Sequence, residues 1–129
     1  MSGYLLDTHT ALWWWTELPR LGVNARELLE TTEEPIAVSA VSAFEISLKW
    51  RLGKLPNLGD PRLSYEPLMK RNGFTELRVT NDHAIRAGTL DGAHRDPFDR
   101  LIAAQGLTDD LIIVTRDPEI AAFGCKVLW

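Results

Sequence analysis

The chain has 129 residues, of which 45% are hydrophobic and 25% are charged, with a formal net charge of −4. This length and composition exclude an intrinsically disordered chain and suit one hydrophobic core, so residues 1–129 are predicted to form a single domain. The negative charge disfavours nucleic-acid binding through a whole-molecule field, although cations held in a local acidic site would offset it there.

Cysteine usage and hydropathy exclude further classes of protein. A lone Cys125 excludes an internal disulfide and, without companion cysteines, a structural zinc site. No apolar run approaches the roughly 18 residues of a membrane span, and residues 1–7 lack the layout of a signal peptide. We therefore expect a cytoplasmic protein.

Apolar periodicity predicts alternating strands and helices. In chain order these are a strand at 4–6, a helix containing 11–15 with Thr8 and Thr10 as candidate caps, a helix at 23–32, a strand at 36–38, a helix at 39–52, a loop at 53–61, a helix at 63–71, a strand at 75–79, helices at 82–87 and 97–107, a strand at 111–115 and a helix at 118–123.

The helix at residues 39–52 is the least obvious of these, because alternate apolar residues there also fit a strand. Two features favour the helix. Ser42 and Glu45 have the spacing of a capping box, and Glu45 with Lys49 forms a favourably oriented pair one turn apart. Strands that alternate with helices predict right-handed crossovers and a parallel sheet covered on both faces.

Acidic residues fall where the predicted strands end. Asp7 and Asp117 follow the first and last strands, and helices starting at the same edge carry Glu45, Asp96 and Asp99. Ligands bind at the carboxyl ends of parallel strands, so five carboxylates are positioned to converge. Carboxylates this crowded would take up protons unless a cation were present, and all-oxygen ligation is typical of Mg²⁺ or Mn²⁺.

Each acid also has a purely structural explanation. Asp96 precedes Pro97, which favours a helix N-cap over a metal ligand. The other four fit helix-start residues that complement the helix dipole, or turn residues after strands. The metal hypothesis therefore depends on the combination and not on any one acid.

Several separate segments carry a recognisable pattern. They are Leu5-Leu6-Asp7-Thr8-His9, Ser39-Ala40-Val41-Ser42 leading to Phe44-Glu45-Ile46, His94-Arg95-Asp96-Pro97-Phe98-Asp99-Arg100-Leu101-Ile102-Ala103-Ala104-Gln105, and Val114-Thr115-Arg116-Asp117-Pro118 through Val127-Leu128-Trp129. Together they resemble the motifs of PIN domains, and more narrowly of VapC toxins of bacterial type II toxin–antitoxin pairs. The third segment is the most specific, and the match spans essentially the whole chain.

The resemblance implies a fold, a site and partners. It implies a three-layer α/β/α sandwich around a short central parallel sheet, and a ribonuclease whose metal-binding and catalytic acids are Asp7, Glu45, Asp99 and Asp117. Asp96 stands in the same motif without being a secure ligand. Proteins of this kind are typically homodimers that bind RNA as substrate and a small VapB-like antitoxin, whose tail covers the acidic site.

The predicted chemistry is hydrolysis of a phosphodiester by a metal-activated water, with no covalent intermediate. Thr8 and Thr115 are candidates to hydrogen-bond the carboxylates, although each also fits a cap. Basic and imidazole side chains flank the acids and are positioned either for phosphate contacts or for ordinary structural pairs, and are not assigned to the site: His9, His94, Arg95, Arg100 and Arg116.

Three consecutive tryptophans at residues 13–15 would span about 200° of a helix, so they cannot all face one core. Two interpretations of these tryptophans compete: core residues with one amphipathic edge, or part of an interface with a partner. Stacking on nucleic-acid bases is a third. The resemblance favours the interface.

Two other classes of function compete with the enzyme. A signalling receiver domain needs a phospho-accepting aspartate after a central strand, whereas Val38 leads to Ser39 here. A non-catalytic module would keep the fold and the cation without cleaving RNA, which the complete set of four acids argues against.

Overall fold

The computed structural model describes residues 3–129; Met1 and Ser2, where the stretch compared with a signal peptide begins, lie outside the described residues. Within that range no helix combines the length and the apolar character needed to cross a bilayer. The elements are β1 (Tyr4–Leu6), α1 (Thr8–Thr16), a 3₁₀ turn (Leu18–Arg20), α2 (Val23–Thr31), β2 (Ile36–Ser39), α3 (Ala40–Arg51), α4 (Pro61–Arg71), β3 (Thr75–Leu77), α5 (Asn81–Thr89), α6 (Pro97–Thr108), β4 (Ile112–Val114), α7 (Pro118–Ala122) and β5 (Val127–Leu128).

The strands form one five-stranded sheet in the order β3-β2-β1-β4-β5, and every neighbouring pair is parallel. Leu5 at its centre lies opposite Ala37 on one side and Ile113 on the other. The predicted parallel sheet is confirmed. The short edge strand β5 had no sequence-based assignment.

Alternate residues of the central strands face opposite layers, as strand geometry requires. Leu5 and Ile113 pack in a cluster with Ile102 of α6. Leu6 and Val114 pack in a second cluster that includes residues of α1, α2 and α4. Helices therefore cover both faces of the sheet, which confirms the α/β/α sandwich.

The first helix is capped differently from the prediction. Asp7 is the N-cap of α1, and its side chain accepts a hydrogen bond from the Thr10 amide. Thr8 already lies inside the helix. The assignment of Thr8 and Thr10 as caps was wrong, because the helix begins directly after Asp7, whose side chain takes the cap position.

Residues 40–51 are helical, as predicted, but the predicted capping box is wrong. Ser39 caps α3 by accepting a hydrogen bond from the Val41 amide at 3.0 Å. Ser42 is fully buried, and its hydroxyl lies 2.9 Å from that of Thr8. The pair of Glu45 with Lys49 is confirmed, with 3.4 Å between Oε2 and Nζ.

All three consecutive tryptophans contact the body of the protein. Trp13 is 7% exposed. Trp14 donates from Nε1 to Asn72 at 2.9 Å, and Trp15 packs edge-on against Tyr65. These side chains are buried or partly buried, which favours the interpretation as core with one amphipathic edge.

We predict that Leu5→Ala lowers the free energy of unfolding by about 2–5 kcal/mol, because Leu5 is fully buried at the centre of the sheet. Leu63→Ala is the matched control, since Leu63 is 77% exposed, and its effect should stay within about 0.5 kcal/mol. Urea titration measures both. Similar losses for the two variants would contradict this placement of the core.

Candidate metal centre

Asp7 lies at the carboxyl end of the central strand and is 7% exposed. Its Oδ1 accepts hydrogen bonds from the amide and the hydroxyl of Thr10, at 2.8 and 2.7 Å. Its Oδ2 accepts a short hydrogen bond from the Thr115 hydroxyl. These donors are neutral. Asp7 is therefore a buried carboxylate that forms no ion pair with a cationic side chain among the described residues.

Thr115 connects the two strand-end acids. While its hydroxyl donates to Asp7, the same oxygen accepts a hydrogen bond from the Asp117 amide at 3.0 Å. Asp117 is in turn the N-cap of α7 and accepts from the Glu119 amide at 2.9 Å. Asp7 and Asp117 line a common cavity of about 370 Å³. The predicted role of Thr115 beside a carboxylate is confirmed.

Asp99 enters the site from the first turn of α6. The N-cap of that helix is Asp96, whose Oδ1 accepts from the amides of Phe98 and Asp99 at 2.9 and 3.4 Å. The structure thus has Asp96 as the cap that the sequence favoured. Asp99 Oδ2 lies 2.8 Å from His94 Nε2.

The pKa of Asp99 is raised to about 6, first by burial and then by the negative charges of Asp96 and Asp117, while the hydrogen bond from His94 opposes the rise. The pKa of His94 is also raised, first by its hydrogen bond to Asp99. A carboxyl with this pKa is partly protonated near neutral pH, which is how crowded acids respond when no cation is bound.

His94, Asp99 and Asp117 can each offer one ligand atom, and the three atoms lie within 4.8 Å of one another. Within the described residues, that compact group does not include Asp7, Glu45 or Asp96. Asp7 instead shares the cavity with Asp117.

Glu45 approaches from α3 with its side chain 13% exposed. Its neighbour Phe44 stacks edge-on against Phe98, the residue before Asp99, with ring centroids 5.6 Å apart. The partner of Glu45, Lys49, places its Nζ 3.2 Å from His9 Nε2, and His9 lines the cavity of Asp7 and Asp117. Glu45 is therefore connected to the rim of the site.

His94 is the residue that sequence reasoning missed. We expected no imidazole at metal-ligand spacing, and the structure places one among the acids. The available signal was its position five residues before Asp99, but the intervening turn has no regular period that would reveal the contact.

Two other polar residues have structural roles. Arg100 donates to the carbonyl oxygens of Ala87, His94 and Leu90 at 2.8, 2.9 and 2.5 Å. It holds the segment before α6 and does not reach for phosphate. Thr8 contacts Ser42 and not a carboxylate.

We predict that Thr115→Val destabilises the fold by about 1–3 kcal/mol, because it removes the donor to buried Asp7 and the acceptor for the Asp117 amide. Thr115→Ser keeps the hydroxyl and should retain most of the stability. Urea titration in EDTA compares the two variants. If valine is tolerated as well as serine, the hydroxyl is not what connects these acids.

In EDTA, we predict that stability falls as the pH rises from about 4 to about 7, because a carboxyl with a raised pKa binds its proton more tightly in the folded chain. This stabilisation is complete below the ordinary value of 3.8 and is lost as the pH passes about 6. The raised pKa of His94 acts in the same direction. Asp99→Asn should show a flatter dependence of the urea midpoint on pH, and parallel profiles would contradict this.

Comparisons with known proteins agree with this architecture. The sequence model of the PIN domain matches residues 4–124. Ribonuclease VapC22 of Mycobacterium tuberculosis (strain ATCC 25618 / H37Rv) is 33% identical over 118 residues, covering 91% of this chain and 88% of that protein.

Two crystal structures share the fold. FitAcB from Neisseria gonorrhoeae superposes with a TM-score of 0.70 at 22% identity, covering 98% of this chain and 96% of that one. VapBC2 from Rickettsia felis, bound to a DNA fragment from its promoter, also gives 0.70, at 16% identity and with 98% of each chain covered. With a family model and a relative that each span most of its length, this chain belongs to the PIN domain family.

Proposed function

We propose that this protein is a metal-dependent endoribonuclease and the toxin of a toxin–antitoxin pair. The observation that carries the proposal is the position of Asp117 at the carboxyl edge of a PIN-domain sheet, where it lies close to Asp99 and shares a cavity with buried Asp7. A relative across 91% of the chain is named a ribonuclease. Membership of this family excludes the receiver-domain alternative.

The proposed metal ligands are Asp7, Glu45, Asp99 and Asp117, for Mg²⁺ or Mn²⁺, with Asp96 kept as the cap of α6. The residues fit such a cation, because burial and neighbouring negative charges raise the pKa of Asp99, and carboxylates supply the oxygen donors that these ions prefer. His94 lies within the same group and can offer a nitrogen. When bound, the cation supplies a water acidified for attack on phosphorus.

Neighbouring residues of the protein position the acidic side chains. Thr10 and Thr115 hold the Asp7 carboxylate in one orientation, so its position is set before any ligand arrives. Asp96 and Arg100 fix the start of α6 and the segment before it, and thereby the side chains of Asp99 and His94. One of the four acids can also orient the attacking water as general base.

The partners follow from the same membership. The solved relatives include VapBC2 bound to a DNA fragment from its promoter and a toxin–antitoxin complex from Klebsiella pneumoniae. We infer a small VapB-like antitoxin and a homodimer for this chain, with RNA as substrate and the cytoplasm, where RNA is present, as the place of action.

We predict that the purified protein cleaves a mixed RNA pool with Mn²⁺ and not with EDTA. Asp7→Asn should lower the rate by at least on the order of 100-fold, because it keeps the shape of the side chain and removes one ligand charge. Asp99→Asn, whose described side-chain partner is His94 alone, is the second variant if Asp7→Asn folds poorly. Asp110→Asn, at the opposite edge of the sheet beside Lys126, is the matched control.

Cleavage that survives both site variants would show that the activity comes from another centre. A folded protein that binds Mn²⁺ but cleaves nothing in the pool would count against the nuclease and for the non-catalytic module.

A further inference from the structure

A second cavity, of about 260 Å³, adjoins the candidate metal centre. We name it the basic groove, after the cationic side chains that line it: Arg20, Lys49 and Lys54. Its one acidic lining residue is Glu17, which pairs with Arg20 at 3.5 Å on the exposed surface. Lys49 also pairs with Glu45, and Lys54 leaves the groove with a local excess of positive charge in a chain of net charge −4.

The basic groove adjoins the cavity lined by Asp7 and Asp117, which we name the acidic cavity. His9 and Trp13 line both cavities. The guanidinium groups of Arg20, from the groove, and Arg116, from the acidic cavity, each lie 4.6 Å from the centroid of the Trp13 ring. Trp13 thus holds two cations beside the junction of the two cavities.

Two cationic side chains near these cavities, Lys54 and Arg116, are available to a ligand. The Lys54 side chain has no hydrogen bond or ion pair among the residues that the structure describes, and Arg116 contacts only the face of Trp13 there. Trp13 itself is 7% exposed, too buried to offer its face to a nucleobase. The groove therefore presents charge to a ligand and, apart from the His9 imidazole, no exposed aromatic ring.

We propose that the basic groove binds the phosphates of single-stranded RNA on one side of the bond that is cleaved. This inference rests on the proposed nuclease function, since a strand cut at the acids must continue along a neighbouring surface. Cationic side chains without base-reading groups bind the backbone and give affinity that does not depend on sequence. The groove would supply locally the attraction that the negative molecule lacks overall.

The test is binding without cleavage, measured in EDTA by fluorescence anisotropy with labelled single-stranded RNA over a range of salt. The groove variant is the double substitution Arg20→Gln and Lys54→Gln, which leaves Lys49 and its contact with Glu45 intact. The matched control is Arg71→Gln with Lys126→Gln, because both residues precede strands and lie at the opposite edge of the sheet. Both double variants lower the net charge equally.

The groove variant should bind about tenfold more weakly at low salt, and the slope of log affinity against log salt should become shallower by about 1.4, or about 0.7 for each lost phosphate contact. The loss should be equal for oligouridine and oligoadenosine. The control should bind as the unaltered protein does. Unchanged thermal unfolding of both variants establishes that they are folded.

Three results would overturn the proposal. Equal losses of RNA affinity in both double variants would indicate an effect of whole-molecule charge, and an unchanged RNA affinity in the groove variant would show that the groove does not bind RNA. A loss of affinity confined to an acidic peptide such as oligoglutamate would assign the groove to a protein partner. Because no cleavage is involved, failure of this proposal is distinguishable from failure of the nuclease proposal. An inactive protein that loses RNA affinity only in the groove variant would support the groove alone.

Discussion

The hydrogen bond between Thr115 and Asp7 is the contact on which the rest of the site depends. It joins the ends of β1 and β4, beside the backbone bond from the Asp7 amide to the Val114 carbonyl. Thr10 reinforces this junction by donating to both Asp7 and Val114. Because Asp7 also caps α1 and Thr115 positions the Asp117 amide, one buried group of polar bonds orients two strands and two helices.

This arrangement places acids close together at a cost in electrostatic free energy. Asp99 shows that cost directly, since burial and its acidic neighbours raise its pKa to about 6. A bound cation would replace the proton as the source of compensation, so affinity for the metal and pH are coupled through the same carboxyl. The site is therefore electrostatically suited to receive a cation.

The net charge of this protein is negative, whereas the local charge in the basic groove is positive. A chain of net charge −4 that acts on RNA needs positive charge beside the scissile bond, and the basic groove provides it next to the acids. In the proposed mechanism the two cavities would have separate tasks, since one would bind a cation and the other would bind phosphates. Trp13, buried between two guanidinium groups, explains part of the unusual run of three tryptophans without an interface.

The sequence alone determined the order of the seven α-helices and of four of the five strands that the structure describes, the parallel sheet and the edge at which the acids gather, because periodicity and strand ends are local properties of the chain. It also identified Asp96 as a cap from the proline that follows it. Only the tertiary structure decided which polar groups meet. Thr8 contacts Ser42 across 34 residues, and Thr115 reaches Asp7 across 108. Ser42 lost its predicted cap role for this reason, because its hydrogen-bond partner is set by packing between distant segments and no local pattern records it. His94 lies only five residues before Asp99, but the turn between them has no regular period from which the contact could be predicted.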